Sequence, residues 1–419
     1  MIALADCNNF YASCERIFNP KIKNKPIIVL SNNDGCVIAR SNEAKALGIK
    51  MGVPAFKIKK IIDNYNVCVF STNFTLYGDF SQRVMSILSN NVSSIEIYSI
   101  DEAFMNLEGI PKQKQFASKL QKKILTWTGI PISIGIAPNK TLSKVANYIA
   151  KKEMDNGVHI LCTNNQIKEV LKIFPINKIW GIGNKLYQKL YNENINTAYE
   201  LTQKSDKWIQ NNMSITGLKM VKELRGEVCY NLINKTKPKK SIMTSRTFGK
   251  KINNFQELAQ AISTYANICA EKLRQEGGCA KTIHIMIFTN TFKYKNQLNY
   301  TGKKKISLSN HTNDSLEIVS HSIKALKSIY RNGCLYKKGG VILSDIIPKS
   351  ETQISLFGNS SDIIKREKLM LTIDKLNNNL GRGKIRLAVN GFEKNWGMKQ
   401  KNLSPRYTTR INELLRIKY

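Results

Sequence analysis

The sequence predicts a multidomain protein of mixed α/β (α+β) class, and three observations predict it. Its 419 residues exceed what one hydrophobic core usually serves, at roughly 100 to 200 residues per domain. Short β-rich runs alternate with helical patterns over the first 173 residues, and the alternation resumes after 240. Between the two parts lies Asn234-Lys235-Thr236-Lys237-Pro238-Lys239-Lys240-Ser241, a basic, Pro-containing stretch with little to bury, which reads as a linker over 234–240.

In chain order, β-rich runs fall at 1–6, 27–30, 36–39, 67–71, 94–100, 103–107, 132–136 and 158–161. Helical patterns fall at 8–17, 41–47, 74–90, 112–127, 139–152 and 163–172. Strands and helices mixed in this way suggest a domain built on one sheet. From Phe174 to about Leu224 the pattern changes to short helices around Ile179-Trp180-Gly181-Ile182-Gly183-Asn184. Gly181 and Gly183 suit a helix-hairpin-helix, in which glycines bring backbone N–H groups close to a phosphate. An ordinary helix-helix turn explains Gly-x-Gly equally well. Beyond the linker, β-rich runs at 241–248, 281–289, 305–308 and 339–346 alternate with helices at 254–276 and 314–330, which fits a second, smaller α/β domain. Past Ser350 the chain is polar around one short apolar island and ends in a basic tail.

Composition narrows the function classes. The formal charge is +35, spread along the chain, and reads as an electrostatic footprint for a nucleic-acid backbone. Nine cysteines without a C-x-x-C pair argue for reduced thiols rather than a disulfide framework or a zinc site. No run approaches the ~18 apolar residues of a membrane span, and no basic leader precedes the first strand. A soluble, cytoplasmic protein is expected.

The chemistry is carried by carboxylates. Asp101 and Glu102 adjoin at the turn of the β-rich run Ile95–Phe104, and Asp6 ends the apolar run Ile2-Ala3-Leu4-Ala5. Carboxylates gathered at strand ends repel one another unless a cation sits among them, and Mg²⁺ takes such oxygen ligands while keeping room for water and substrate phosphates. Two-metal phosphoryl transfer is the reaction suggested, provided the strands bearing Asp6 and Asp101 are neighbours. A helix starting after Cys7 would aim the free N–H groups of residues 8–10, Asn8, Asn9 and Phe10, at an anion. Phe10 and Tyr11 would then stand over a sugar, although core packing explains an aromatic pair as readily. Small residues within 31–48 would make a shallow lid, with Arg40 and Lys45 in reach of phosphates. Lys140, Lys144 and Lys151 follow on a helix after a strand.

Together, Ala5–Glu15, Ser31–Gly52, Tyr98–Phe104 and Gly135–Lys151 resemble the catalytic core of the Y-family translesion DNA polymerases, and among them the UmuC-type polymerases of bacterial SOS mutagenesis. The tail around Trp396-Gly397-Met398 and Leu403–Arg410 is also similar to the UmuC-type end. The resemblance implies a right-hand polymerase: a ferredoxin-like palm with small fingers over 1–173, a helix-hairpin-helix thumb over 174–233 and a little finger over 241–348. It leaves 349–419 as a clamp-binding and basic terminal region. It implies that Asp6, Asp101 and Glu102 are catalytic and hold two Mg²⁺ ions with the carbonyl of Cys7. It further implies that Tyr11 is the steric gate against ribose, that Lys45 and Lys151 touch the incoming triphosphate, and that Gly181 and Gly183 meet the DNA backbone. Asn42 stands where the family more often has Tyr. Gln353-Ile354-Ser355-Leu356-Phe357 is similar to peptides that dock on the sliding clamp; a local strand is the other reading. Implied partners are primer-template DNA, deoxynucleoside triphosphates, the clamp, a processed UmuD-like dimer and a recombinase filament. The implied activity is error-prone copying of damaged template. A non-catalytic DNA-binding scaffold would gain nothing from three repelling carboxylates, and a nucleotide cyclase would leave the later domains superfluous.

Overall fold

The computed structural model describes residues 1–152, 157–233, 237–289, 299–353, 360–381 and 383–415. They form two compact units, one of residues 1–31, 35–236 and 401–419, the other of 32–34 and 237–400. The expected terminal region 349–419 is thus divided at 400, since its last residues pack with the first unit.

In the first unit the elements run β1 (Ile2–Cys7), α1 (Phe10–Ile17), β2 (Ile27–Leu30), β3 (Val37–Arg40), α2 (Asn42–Ala46), α3 (Lys59–Asn64), β4 (Cys68–Ser71), α4 (Phe74–Ser89), β5 (Ile95–Ile97) and β6 (Glu102–Asn106). They continue as α5 (Gln113–Thr128), β7 (Ile132–Ala137), α6 (Lys140–Ala150), β8 (Val158–Ile160), α7 (Asn164–Ile173), α8 (Asn184–Asn192), α9 (Ala198–Thr202) and α10 (Asp206–Leu224). The main sheet has the order β5-β6-β1-β7-β8, and a small sheet has the order β3-β2-β4. β1 and β7 are apolar and buried almost throughout, as central strands covered on both faces must be. Helix α6 packs so closely on β7 that only a glycine fits at 135, where an added Cβ would lie 2.1 Å from the Asn147 amide nitrogen.

Glu223, on α10, is fully buried. Its carboxylate accepts from the Thr141 N–H at 2.9 Å, the Thr141 hydroxyl at 2.6 Å, and the N–H groups of Cys229 and Tyr230. Four donors on one buried carboxylate fix α10 against the start of α6.

The second unit holds β9 (Ser241–Ile252), α11 (Phe255–Gln275), β10 (Gly278–Phe288), β11 (Thr301–Thr312), α12 (Ser315–Ile329), β12 (Tyr336–Pro348) and α13 (Ser360–Leu380). Its antiparallel sheet, ordered β11-β10-β12-β9, is packed by α11 and α12 around one core. Helix α13 falls in the stretch read from sequence as polar around one short apolar island, where no helix was expected. Most of its leucines are exposed, and it is held by ion pairs such as Arg274 to Asp374 at 2.7 Å rather than by an apolar stripe.

Candidate active site

Strand β1 is central in its sheet and pairs antiparallel with β6 so that Asp6 stands opposite Glu102. Side chains opposed in this way are roughly 5 Å apart at Cβ. The Cys7 N–H donates to the Asp101 carbonyl at 2.9 Å, which brings Asp101 to the same strand end. The run expected as one strand over 94–100 breaks at Ile97 because a tight turn follows. There the N–H groups of Tyr98 and Ser99 both donate to the Glu102 carbonyl, and the Ser99 hydroxyl accepts from the N–H groups of Asp101 and Glu102. The three carboxylates are therefore neighbours through backbone pairing, from positions far apart in sequence.

Each carboxylate is engaged. Asp6, 7% exposed, pairs with Lys151 at 2.8 Å; Glu102 pairs with Lys144 at 2.9 Å; Asp101 accepts from the Ser99 hydroxyl at 2.6 Å. Burial pushes the Asp6 carboxyl up to about 7 against the pull of Lys151, and a hydrogen bond shared with Glu102 pushes it the same way. Burial also raises Glu102, but the hydrogen bond from Asp6 and the two lysines outweigh it and hold that group below the usual carboxylate range.

Among the described residues, no three His, Cys, Asp or Glu side chains are arranged to hold a metal ion as they stand. The lysine ammonium groups and the Ser99 hydroxyl take the oxygens instead. The donor set nevertheless fits a hard divalent cation, because three carboxylates gathered at one strand end, Asp6 buried among them, offer the oxygen ligands such an ion takes. Lys151, expected on a triphosphate, is here the counter-ion of Asp6.

A cavity of about 460 Å³ opens at this strand end, within the roughly 300–1,000 Å³ typical of small-molecule sites. Its lining includes Asp6, Cys7 and Asp101, the rings of Phe10 and Tyr11, and the cationic side chains of Arg40, Lys45 and Lys151. Ile38 and Ala39, from the stretch expected as a lid, and Met51 beyond it also line the cavity. Burial lowers the Lys45 ammonium, and Arg40 and Lys151 nearby lower it further, as expected where cations gather for an anion. Asn42, in the position noted as departing from the family, accepts from the Asn9 side chain at 3.0 Å and from Lys45 at 3.2 Å.

The helix after β1 begins later than expected. Asn9 takes a left-handed conformation, φ 51°, and α1 starts at Phe10. Asn8 does not offer its N–H to a ligand, since it donates to the Pro131 carbonyl at 2.8 Å while the side chain accepts from Ser133. Phe10 is buried and Tyr11 half-buried, with Tyr11 stacked on Tyr77 at 4.4 Å and 13°. Core packing and a place in the cavity lining coexist in this pair.

Residues 5–148 match the impB/mucB/samB family, residues 239–356 its C-terminal domain, and residues 367–417 a domain of unknown function, DUF4113. Protein UmuC of Salmonella typhimurium is 39% identical over all of both chains. The chain belongs to the impB/mucB/samB family. Within it, Protein ImpB of Salmonella typhimurium is 40% identical over 99% of each chain. A more distant relative, DNA polymerase IV of Oceanobacillus iheyensis, is 29% identical over 96% of this chain and 93% of its own. The fold is that of Y-family polymerases: a Dbh-Dpo4-Dbh chimera superposes with TM-score 0.67 at 23% identity, covering 83% of this chain and 100% of the chimera. No helix among the described residues is long and apolar enough to cross a membrane.

Other expected sites of this impB/mucB/samB chain lie outside the cavity. Gly181 requires its glycine, φ 90°, and Gly183 caps α8, but the element before them is a single 3-10 turn at Ile176–Lys178 rather than a helix. Gln353 is exposed, and Ile354, Ser355, Leu356 and Phe357 lie outside the described residues. Sequence reasoning missed the ring cluster that holds Lys144. Its ammonium lies 4.6 Å from the Tyr98 ring and 5.5 Å from the Trp180 ring, while the Trp180 N–H donates to the Tyr98 hydroxyl at 3.1 Å. Tyr98 and Phe104, on either side of Asp101 in sequence, and Trp180 in the Gly-rich turn were the signal available.

Proposed function

We propose that this chain is the catalytic subunit of an error-prone, DNA-directed translesion DNA polymerase of SOS-type mutagenesis, acting in the cytoplasm on damaged template. The observation that carries the reading is the convergence of Asp6, Asp101 and Glu102 at one strand end, beside a cavity that also presents Arg40, Lys45 and Lys151. Asp6, Asp101 and Glu102, with the Cys7 carbonyl, would hold two Mg²⁺ ions. When bound, such ions lower the pKa of the primer 3′-hydroxyl and offset charge on the transferring phosphates, so that in-line attack expels pyrophosphate.

The chain's own residues bind and orient. Lys45 and Arg40 hold the triphosphate, and Lys151, released from Asp6, joins them. The Asn9 N–H faces the same anion; Asn8 positions the turn through Pro131 and Ser133 rather than touching the nucleotide. The Tyr11 ring, flanked by Phe10, blocks a 2′-hydroxyl. Ile38 and Ala39 leave space over the nascent pair, which favours tolerance of distorted templates. In this assignment residues 1–173 are palm and fingers, 174–233 the thumb with Gly181 and Gly183 on the DNA backbone, and 241–348 the little finger. Gln353–Phe357 docks on the sliding clamp, and a processed UmuD-like dimer and a recombinase filament complete the active assembly.

The test is primer extension by the full chain with Mg²⁺, deoxynucleotides and these accessory proteins, on undamaged and lesion-bearing templates. Extension that Asp101→Ala abolishes is the expected result. No extension by the wild-type assembly, or equal extension by Asp101→Ala, would overturn the assignment.

A further inference from the structure

The last described residues, 401–415, pack with the first unit. The Ser71 N–H donates to the Asn402 carbonyl at 2.9 Å and the Asn402 N–H returns to the Ser71 hydroxyl at 3.0 Å, which pins the segment at the end of β4. Asn73 donates to the carbonyls of Ser404 and Pro405. Tyr407 stacks on Phe18 with centroids 4.4 Å apart.

Between these anchors the Ser404 hydroxyl donates to Glu15 Oε1 at 3.0 Å, and the Tyr77 hydroxyl donates to the same oxygen at 2.6 Å. Glu15 and Tyr77 are buried, and Glu15 Oε2 is buried with no hydrogen-bond partner. A carboxyl in that setting costs free energy and takes no part in the chemistry of the cavity, so a positional role is the one left to it. The position it fixes is that of Tyr77, whose ring lies almost parallel to Tyr11 at 4.4 Å. A stacked ring whose partner is pinned by its hydroxyl has little freedom to tilt or slide.

We propose that residues 402–407 form a strap that sets the plane of the Tyr11 ring through Ser404, Glu15 and Tyr77, and thereby sharpens the exclusion of ribonucleotides. The inference rests on the steric-gate assignment of Tyr11 made under the proposed function. It gives the C-terminal segment a part in substrate selection, with Ser404 and Glu15 as positioning residues rather than catalytic ones.

The experiment is single-nucleotide incorporation by the full chain in its active assembly, comparing kcat/KM for a deoxynucleotide and the matching ribonucleotide. Ser404→Ala and Tyr77→Phe are expected to lower the preference for deoxyribose by about two- to tenfold, the span of one ordinary hydrogen bond. Glu15→Ala is expected to do the same, whereas Glu15→Gln, which keeps an oxygen to accept from Tyr77 and Ser404, restores the preference. Ile124→Val, a buried loss elsewhere in the same unit, is expected to leave the ratio unchanged whatever it does to stability. Should Ser404→Ala not fold, Tyr77→Phe and the two Glu15 variants carry the test. If they alter both nucleotides equally while Tyr11→Ala still admits ribonucleotides, the strap has no such role. If Tyr11→Ala leaves the preference intact, the gate assignment itself falls.

Discussion

Gly135→Ala isolates the seating of α6 on the sheet from every side chain of the site. The added Cβ would lie 2.1 Å from the Asn147 nitrogen, 2.5 Å from the Ser143 carbonyl oxygen and 2.6 Å from the Asn147 Cα, where ordinary contact begins at about 3.4 Å. All three atoms are backbone, so no rotamer change relieves the clash and α6 has to lift by about an ångström. Overpacking of this kind costs about 1–3 kcal/mol, and it strains the bonds from Asn147 to the carbonyls of Leu4 and Ser133. Lys144 and Lys151, which reach Glu102 and Asp6 from α6 and its C-cap, move with it. A misplacement of that size at a catalytic centre costs on the order of 100-fold in rate. Urea unfolding and single-nucleotide incorporation measure the two effects, with Gly78→Ala as the control, since nothing lies within 4 Å of a Cβ there. If Gly135→Ala unfolds within about 0.5 kcal/mol of wild type, an ordinary surface-substitution effect, and incorporates nucleotide normally, the close approach of helix and strand is not what positions the lysines.

Three further outcomes are expected. Glu223→Ala leaves the buried Thr141 N–H and hydroxyl, and two further N–H groups, without their acceptor, and should cost about 3 kcal/mol in urea unfolding; a loss below about 1 kcal/mol would show that the carboxylate does not bind α10 to α6. Burial pushes Glu15 up to about 7 against the hydrogen bonds of Tyr77 and Ser404, so the folded state holds its proton from about pH 4.5 to 7 while the unfolded chain does not. Wild type should therefore lose stability relative to Glu15→Gln as pH rises through that window, and the difference should level off above it; a difference independent of pH would contradict the raised pKa. Deleting Gln353–Phe357 should reduce synthesis on clamp-loaded DNA and spare simple primer extension, and equal loss in both assays would mean that the segment serves folding.

The carboxylates were legible because each stands at a sequence feature with a physical cause. Asp6 ends an apolar run that only a central strand explains, and Asp101 and Glu102 follow a β-rich run that has to turn. The aromatic pair at 10 and 11 followed from a helix opening after Asp6, and the cations at 40 and 45 from the small-residue stretch that carries them. What the sequence hid is pairing across long separations. Lys144 and Lys151 look like surface charge until β1 and β6 bring Asp6 and Glu102 beneath them. Glu15, Tyr77 and Ser404 occupy unremarkable positions in three segments and meet only when residues 401–415 return to the first unit. Helix α13 escaped because its apolar residues keep no single face, and the Asn8 N–H was misjudged because a left-handed Asn9 delays the helix by two residues.

Metal binding tests the central claim most directly. Titrating Mn²⁺, read by electron paramagnetic resonance, into the full chain with primer-template and a non-hydrolysable deoxynucleotide should show two bound ions per chain in the wild type. Asp6→Asn or Asp101→Asn should bind fewer and weaker ions. Undiminished binding in both variants would mean that the carboxylates brought together by β1 and β6 do not hold the metal.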